Sequence, residues 1–253
     1  MSLFKLPFIV GATLGLHAAS TAPNPPPVPA EKRIEPTTLE FMLTSPLFRN
    51  AQKVTINLFS QKISSPDIAQ GVYWGAAIAE VAIIVGELRP SSQVSGRFLS
   101  ALSFGADLEA VRVTPLLALG STLVTVGALL QLYCYSALGK YFTFETGIFK
   151  NHTLVKTGPY SHVRHPSYTG AVLAYAGLLC YYGSPGSWFM ECIFKAATPG
   201  KVFGLSYALI MSLVVAGLLS RIPKEDECLR KEFGKEWDAW AAEVPYVLIP
   251  GVY

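Results

Sequence analysis

The sequence predicts an all-α integral membrane protein, a polytopic helical bundle of about five transmembrane helices followed by an amphipathic C-terminal helix. Three observations predict it. First, only 15% of the 253 residues are charged while 51% are hydrophobic, against about 25% charged in an ordinary soluble domain. That is too little charge to cover the surface of a soluble protein. Second, residues 113–139 and 168–190 carry no Asp, Glu, Lys or Arg, and 202–220 add a third such window. The first two exceed the roughly 20 residues that cross a hydrocarbon core, and the third is close to it. Third, the charged tail alternates an apolar stripe with polar faces at helical spacing. Intrinsic disorder, a secreted disulfide scaffold and a nucleic-acid binder are all disfavoured by this composition.

The elements follow in chain order. Residues 3–20 form an apolar first segment broken by Lys5 and His17. A cleaved signal peptide is the alternative, because Lys5 precedes an apolar run ending in Ala18, Ala19 and Ser20; spans downstream favour a retained helix. Five prolines in 23–29 favour an extended linker. Residues 37–63, with Arg49, Lys53 and Lys62, read as interfacial helices or a re-entrant hairpin. Residues 72–88 form a second span despite Glu80 and Glu87, and Glu80 is expected protonated, paired inside the bundle or near the interface. Residues 90–112 read as a polar connection. Residues 113–139, 168–190 and 202–220 supply the remaining spans, with the polar segment 140–165 before the fourth.

In the tail, Leu229, Phe233, Trp237, Trp240 and Val244 recur at intervals of 4, 4, 3 and 4, which predicts one amphipathic helix on the membrane or on the bundle. Pro223 suits its first turn, and Glu225, Asp226 and Glu227 suit its dipole. A well-solvated helix start suffices to explain Asp226 and Glu227. The four cysteines, Cys134, Cys180, Cys192 and Cys228, form no C-x-x-C pair and read as reduced and structural.

Five spans place residues 21–70, 140–167 and 221–253 on one side. That side holds fourteen of the twenty basic residues, so by the positive-inside rule it faces the cytosol. A further crossing between 184 and 200 would undo this segregation, and Pro185, Gly186, Glu191 and Lys195 argue against one.

The densest polar chemistry lies in residues 152–170, which run straight into the fourth span and hold three of the four histidines. Pro166 suits a first helical turn, leaving free backbone N–H groups to seat a carboxylate. Tyr160 and Tyr168 either stack on a flat ring or anchor the membrane interface. Arg164 either braces the site or meets phospholipid headgroups.

This segment resembles the isoprenylcysteine carboxyl methyltransferase family. The resemblance rests on His152-Thr153-Leu154-Val155 with Gly158 and Tyr160, on the run from Arg164 to Gly170, and on Arg221 and Glu225. The run from Phe233 to Trp237 and the pair Val244-Pro245 complete it. It covers about the last 110 residues. It implies an endoplasmic-reticulum enzyme, multi-pass with its active site facing the cytosol, that methylates the C-terminal α-carboxylate of isoprenylated cysteine in processed CaaX proteins. S-adenosylmethionine is the implied methyl donor, and no metal is implied. The cofactor residues carried over are His152, Thr153, Leu154, Val155, Tyr160, His165, Pro166, Ser167, Tyr168 and Glu225. Glu145 occupies a position where family members often have glutamine. Arg221 is the implied substrate and catalytic residue. Pro223 interrupts the spacing that would otherwise put Arg221 and Glu225 one helical turn apart.

The chain then divides into an N-terminal transmembrane region, 1–139, and a catalytic cofactor-binding region, 140–253. The implied partners are a C-terminal prenylcysteine and the lipid bilayer. A carboxylate with a pKa of about 3.3–3.7 is already ionised and needs no general base. Rival readings are a phospholipid N-methyltransferase, which attacks with an amine, a membrane sterol reductase and a non-catalytic membrane interaction protein. The last leaves the His/Arg/Tyr concentration unexplained.

Overall fold

The computed structural model describes residues 3–21, 23–24, 65–88, 93–144 and 152–252, of which the side chains of 65–69, 93–95 and 98 are left aside. Residues 25–29 of the proline-rich linker, the expected interfacial segment 37–63 and Glu145 lie outside the described residues. The described residues form α1 (Leu6–Ser20), α2 (Ser65–Leu88), α3 (Gln93–Ser103), α4 (Pro115–Leu138), α5 (Pro166–Gly183), α6 (Thr198–Ser220), α7 (Ile222–Phe233) and α8 (Lys235–Glu243). No strand occurs among them, so the fold is an all-helical polytopic bundle as expected.

Four described helices are long and apolar enough to cross a membrane: Leu3–Ser20, Gln70–Leu88, Pro115–Tyr141 and Thr198–Phe233. α4, at 24 residues, is about 36 Å long. The fourth expected span, 168–190, is shortened. α5 stops at Gly183, Ser184-Pro185-Gly186 turn the chain, and Phe189–Phe194 form one π-helical turn. Gly186 makes that turn at φ +98°, where a Cβ would strike the Arg112 carbonyl. Residues 93–103, expected in a polar connection, are helical. The apolar side of α3 rests on α2, with Leu99 so close that a Cβ on Gly86 would lie 2.8 Å from its Cδ2.

The described chain gathers into two compact units, and α4, α5 and α6 each supply residues to both. The first comprises Met1–Ser20, Ser64–Val126 and Leu173–Met211. Its apolar clusters join Leu16, Tyr73, Val124 and Leu178, then Ile9, Ala77 and Ile84, then Ala12, Leu117 and Tyr181. α1 is thus packed into the unit. α4 and α5 meet along glycines: a Cβ on Gly120 would lie 2.8 Å from Tyr181 Cα, and one on Gly177 2.5 Å from Val124 N. Such close backbone approach is how helices bind one another in lipid, where burial supplies little drive. Glu80 takes the second of its three expected states. It is 2% exposed and ion-paired to Lys5, and it accepts hydrogen bonds from Tyr181 Oη (3.1 Å) and Trp188 N (3.2 Å). Lys5 also donates to the Gly186 carbonyl at 2.5 Å. The pairing satisfies two charges that neither could afford to bury alone.

The second unit comprises Thr21–Ile63, Gly127–Val172 and Ser212–Tyr253. Its core is Cys134, Tyr135, Phe142, Tyr160, Trp240 and Val244, with Leu154, Val155 and Trp237 against it. The apolar stripe of the tail therefore packs in part on protein. The single predicted tail helix is broken into α7 and α8 at Gly234, whose φ of +53° caps one helix and starts the next. All four cysteines are free.

Candidate active site

In the second unit a cavity of about 190 Å³ brings together His152, Leu154, Val155, Tyr160, His165, Ser167, Tyr168, Arg221 and Glu225, nine of the residues singled out in the sequence. Thr153 is exposed and Pro166 fully buried; neither lines it. Pro166 is nonetheless the first residue of α5, where its missing N–H costs nothing, and it aims Ser167 and Tyr168 from the opening turn.

Charge alternates across the site. Arg164 Nη2 lies 3.4 Å from Asp226 Oδ2, Asp226 Oδ1 2.9 Å from His165 Nε2, His165 Nδ1 3.5 Å from Glu225 Oε2, and Glu225 Oε1 3.8 Å from Arg221 Nη2. Tyr168 Oη donates to Glu225 Oε1 at 2.5 Å. Burial opposes charge on His165, but hydrogen bonds to Asp226 and Glu225 and their negative charges override it and push its pKa up to about 9. The imidazole is therefore a cation at neutral pH, and three cations face two carboxylates. The cluster keeps a net positive charge suited to an anionic group.

Pro223 does not interrupt the spacing of Arg221 and Glu225. It sits in the first turn of α7, where no amide partner is required, and the turn closes from Glu225 N to Arg221 O at 2.9 Å. Arg221 is one turn from Glu225 after all, and its Nη1 donates to the Phe144 carbonyl at 2.9 Å.

The other end of the cavity is aromatic and uncharged. His152 stacks on Tyr141 at 4.4 Å and 19° and meets the edge of Phe233 at 5.7 Å. Burial pulls its pKa down, against a weaker pull from Glu232, so its ring is neutral at pH 7. Tyr160 is 7% exposed, and burial pushes its phenol far up, so it stays protonated. Trp240 Nε1 donates to the Tyr160 carbonyl at 3.3 Å and fixes α8 beneath it. Tyr160 and Tyr168 are both buried and line the cavity.

Arg164 takes the bracing role. It donates to the carbonyls of Val244 (3.2 Å) and Pro245 (2.8 Å), while its amide and that of His165 donate to Tyr246 and Val247, both at 2.9 Å. Thr169 Oγ1 donates to Leu248 at 2.7 Å.

The sequence reading of Asp226 as a solvated helix start is corrected: its carboxylate holds both Arg164 and His165. Glu227, exposed and paired to Lys231, does fit that reading. Gln131, 5% exposed within α4, also lines the cavity and was not singled out. A lone amide in a 27-residue uncharged window was its signal.

A sequence-family model described as phospholipid methyltransferase matches residues 116–200. That stretch includes His152–Tyr168 and stops short of Arg221 and Glu225. Protein-S-isoprenylcysteine O-methyltransferase B of Arabidopsis thaliana is 27% identical over 128 residues, which are 50% of this chain and 55% of that protein. The chain thus spans about half the length of the curated relative it matches. Both comparisons support the resemblance drawn from the sequence, and together they support a membrane methyltransferase.

Proposed function

We propose that this protein transfers a methyl group from S-adenosylmethionine to the C-terminal α-carboxylate of an isoprenylated cysteine, from the cytosolic face of the endoplasmic reticulum membrane. The observation that carries the reading is the convergence of nine motif residues on one cavity whose charged cluster is net positive. The residues fit the donor's chemistry: Glu225 suits its hydroxyl and amino groups, His165 its carboxylate, and the wall of Tyr141, Tyr160 and Trp240 its flat base. When bound, S-adenosylmethionine supplies a methyl group made electrophilic by a sulfonium.

The chain's own residues have then to place an anion and keep water out. Arg221 carries a planar fork that matches a carboxylate, and Glu225, one turn on, holds that fork in the cavity. His165 and Tyr160 keep their protons at neutral pH, and an ionised carboxylate asks neither to accept one. Positioning of this kind supplies about 7–11 kcal/mol in well-oriented reactions.

The test is to incubate purified protein with labelled S-adenosylmethionine, a farnesylated cysteine peptide and phospholipid vesicles. A base-labile methyl ester on the peptide supports the reading; label on phospholipid alone overturns it. The family model gives the phospholipid N-methyltransferase reading its own support, and the neutral ring of His152 could take the proton that an amine acceptor sheds. On that reading Arg221 has no carboxylate to hold.

A further inference from the structure

The first unit contains a second, larger cavity of about 480 Å³, within the span of about 300–1,000 Å³ typical of small-molecule sites. It is walled by α2, α5, the π-helical turn and α6, and no charged side chain lines it. A phosphate or carboxylate headgroup would find no counter-ion there. One side is a run of aromatic rings: Tyr182 edge-on to Phe189 at 6.2 Å and 87°, Phe189 tilted against Phe203 at 6.1 Å and 56°, and Phe203 stacked on Tyr207 at 6.2 Å and 25°. Such an uncharged, corrugated wall suits a bulky hydrocarbon with ridges of its own, such as a fused ring system carrying methyl groups.

The cavity also has a polar pole. Tyr182 and Tyr207 gather around Tyr73 and Leu178. The Tyr73 hydroxyl is within 2.9 Å of Ser20 Oγ, whereas those of Tyr182 and Tyr207 have no hydrogen-bond partner among the described residues. Neither oxygen is sealed away, so both can meet a guest, and a single ligand hydroxyl can donate to one and accept from the other.

We propose that this cavity binds one neutral membrane lipid of the sterol class, its rings along the aromatic wall and its hydroxyl between Tyr182 and Tyr207. The experiment titrates dehydroergosterol, a fluorescent sterol, into protein purified in sterol-free micelles and reads energy transfer from Trp188, which lines the cavity. Saturable one-to-one transfer is expected, reduced in Trp188→Phe, with Trp74 between the lining residues Tyr73 and Gly75 supplying the remainder, and displaced by cholesterol. A Cβ on Gly75 meets nothing within 4 Å, so Gly75→Phe projects into the space and should weaken binding tenfold or more, while Gly75→Ala leaves it unchanged. Should Gly75→Phe fail to fold, Leu179→Phe, at a partly exposed lining position, replaces it without adding a tryptophan donor. Tyr182→Phe with Tyr207→Phe should weaken binding by about fivefold, the scale of a net hydrogen bond. Transfer that never saturates, binding indifferent to the filling variant, equal displacement by the 3α-epimer of cholesterol, or displacement by a farnesylated cysteine peptide would each overturn the proposal. No arm depends on methyl transfer, so the result stands apart from the proposed activity.

Discussion

Substituting Asp226→Asn isolates the charge on His165. The pKa of about 9 lies some 2.5 units above the ordinary 6.5, which at 1.36 kcal/mol per unit makes the charged imidazole worth about 3 kcal/mol to the folded state. Because the pKa is raised on folding, this stabilisation is complete below pH 6.5 and is lost as the pH climbs to about 9. Asp226 provides the shorter of the two carboxylate contacts, 2.9 Å against 3.5 Å for Glu225. The substitution should therefore remove about half of that stabilisation at pH 6.5 and almost none of it at pH 9.5. It also removes the Arg164 contact, but that arginine stays charged throughout, so its loss offsets both measurements equally. Thermal or denaturant unfolding in micelles, followed by the fluorescence of Trp237 and Trp240 in the same unit, reads the difference. A destabilisation equal at the two pH values would refute the view that Asp226 holds an imidazolium.

Arg221→Ala should lower methyl transfer by about a hundredfold or more, the scale of a misplaced reactant, while calorimetry finds S-adenosylmethionine binding within a few-fold of the parent; equal loss of both would remove its substrate role. Lys5→Met strands the buried Glu80 carboxylate and should cost about 3–5 kcal/mol, most of it recovered in Lys5→Met/Glu80→Met; both are read by thermal unfolding. Gly177→Leu drives a side chain into the backbone of α4 and should destabilise by about 1–3 kcal/mol or more, whereas Gly71→Ala, inside α2 with nothing within 4 Å of its Cβ, should instead stabilise by about 0.5–1 kcal/mol in the same assay.

The helical bundle was legible because lipid imposes long uncharged windows, and the cavity residues were legible because most of them lie in one short stretch and the start of another. What stayed hidden was reciprocity. Lys5 and Glu80 each read as a blemish in an apolar segment, and nothing in a linear pattern says that each answers the other. Asp226 follows Glu225 directly, but adjacent helical positions face about 100° apart, and only the course of residues 164–165 reveals that both carboxylates reach one imidazole. The break at Gly234 was invisible because apolar intervals of 4, 4, 3 and 4 continue across it. The end of α5 at Gly183 was only half legible: Pro185 and Gly186 marked a turn, but Ser184 to Gly186 are uncharged, so the hydropathy window ran on through them to Met190.

The pairing of residues 244–248 with Arg164, His165 and Thr169 bears on biosynthesis. The helices can enter the membrane one after another as they are made, but this part of the site cannot set until residues 244–248, some 80 positions beyond Arg164, have also left the ribosome. A chain halted before Val244 would hold its helices but leave Arg164 and His165 without those carbonyls. Timed release of nascent chains of increasing length, probed with protease at Arg164, would show protection appearing only once residues 244–248 have emerged.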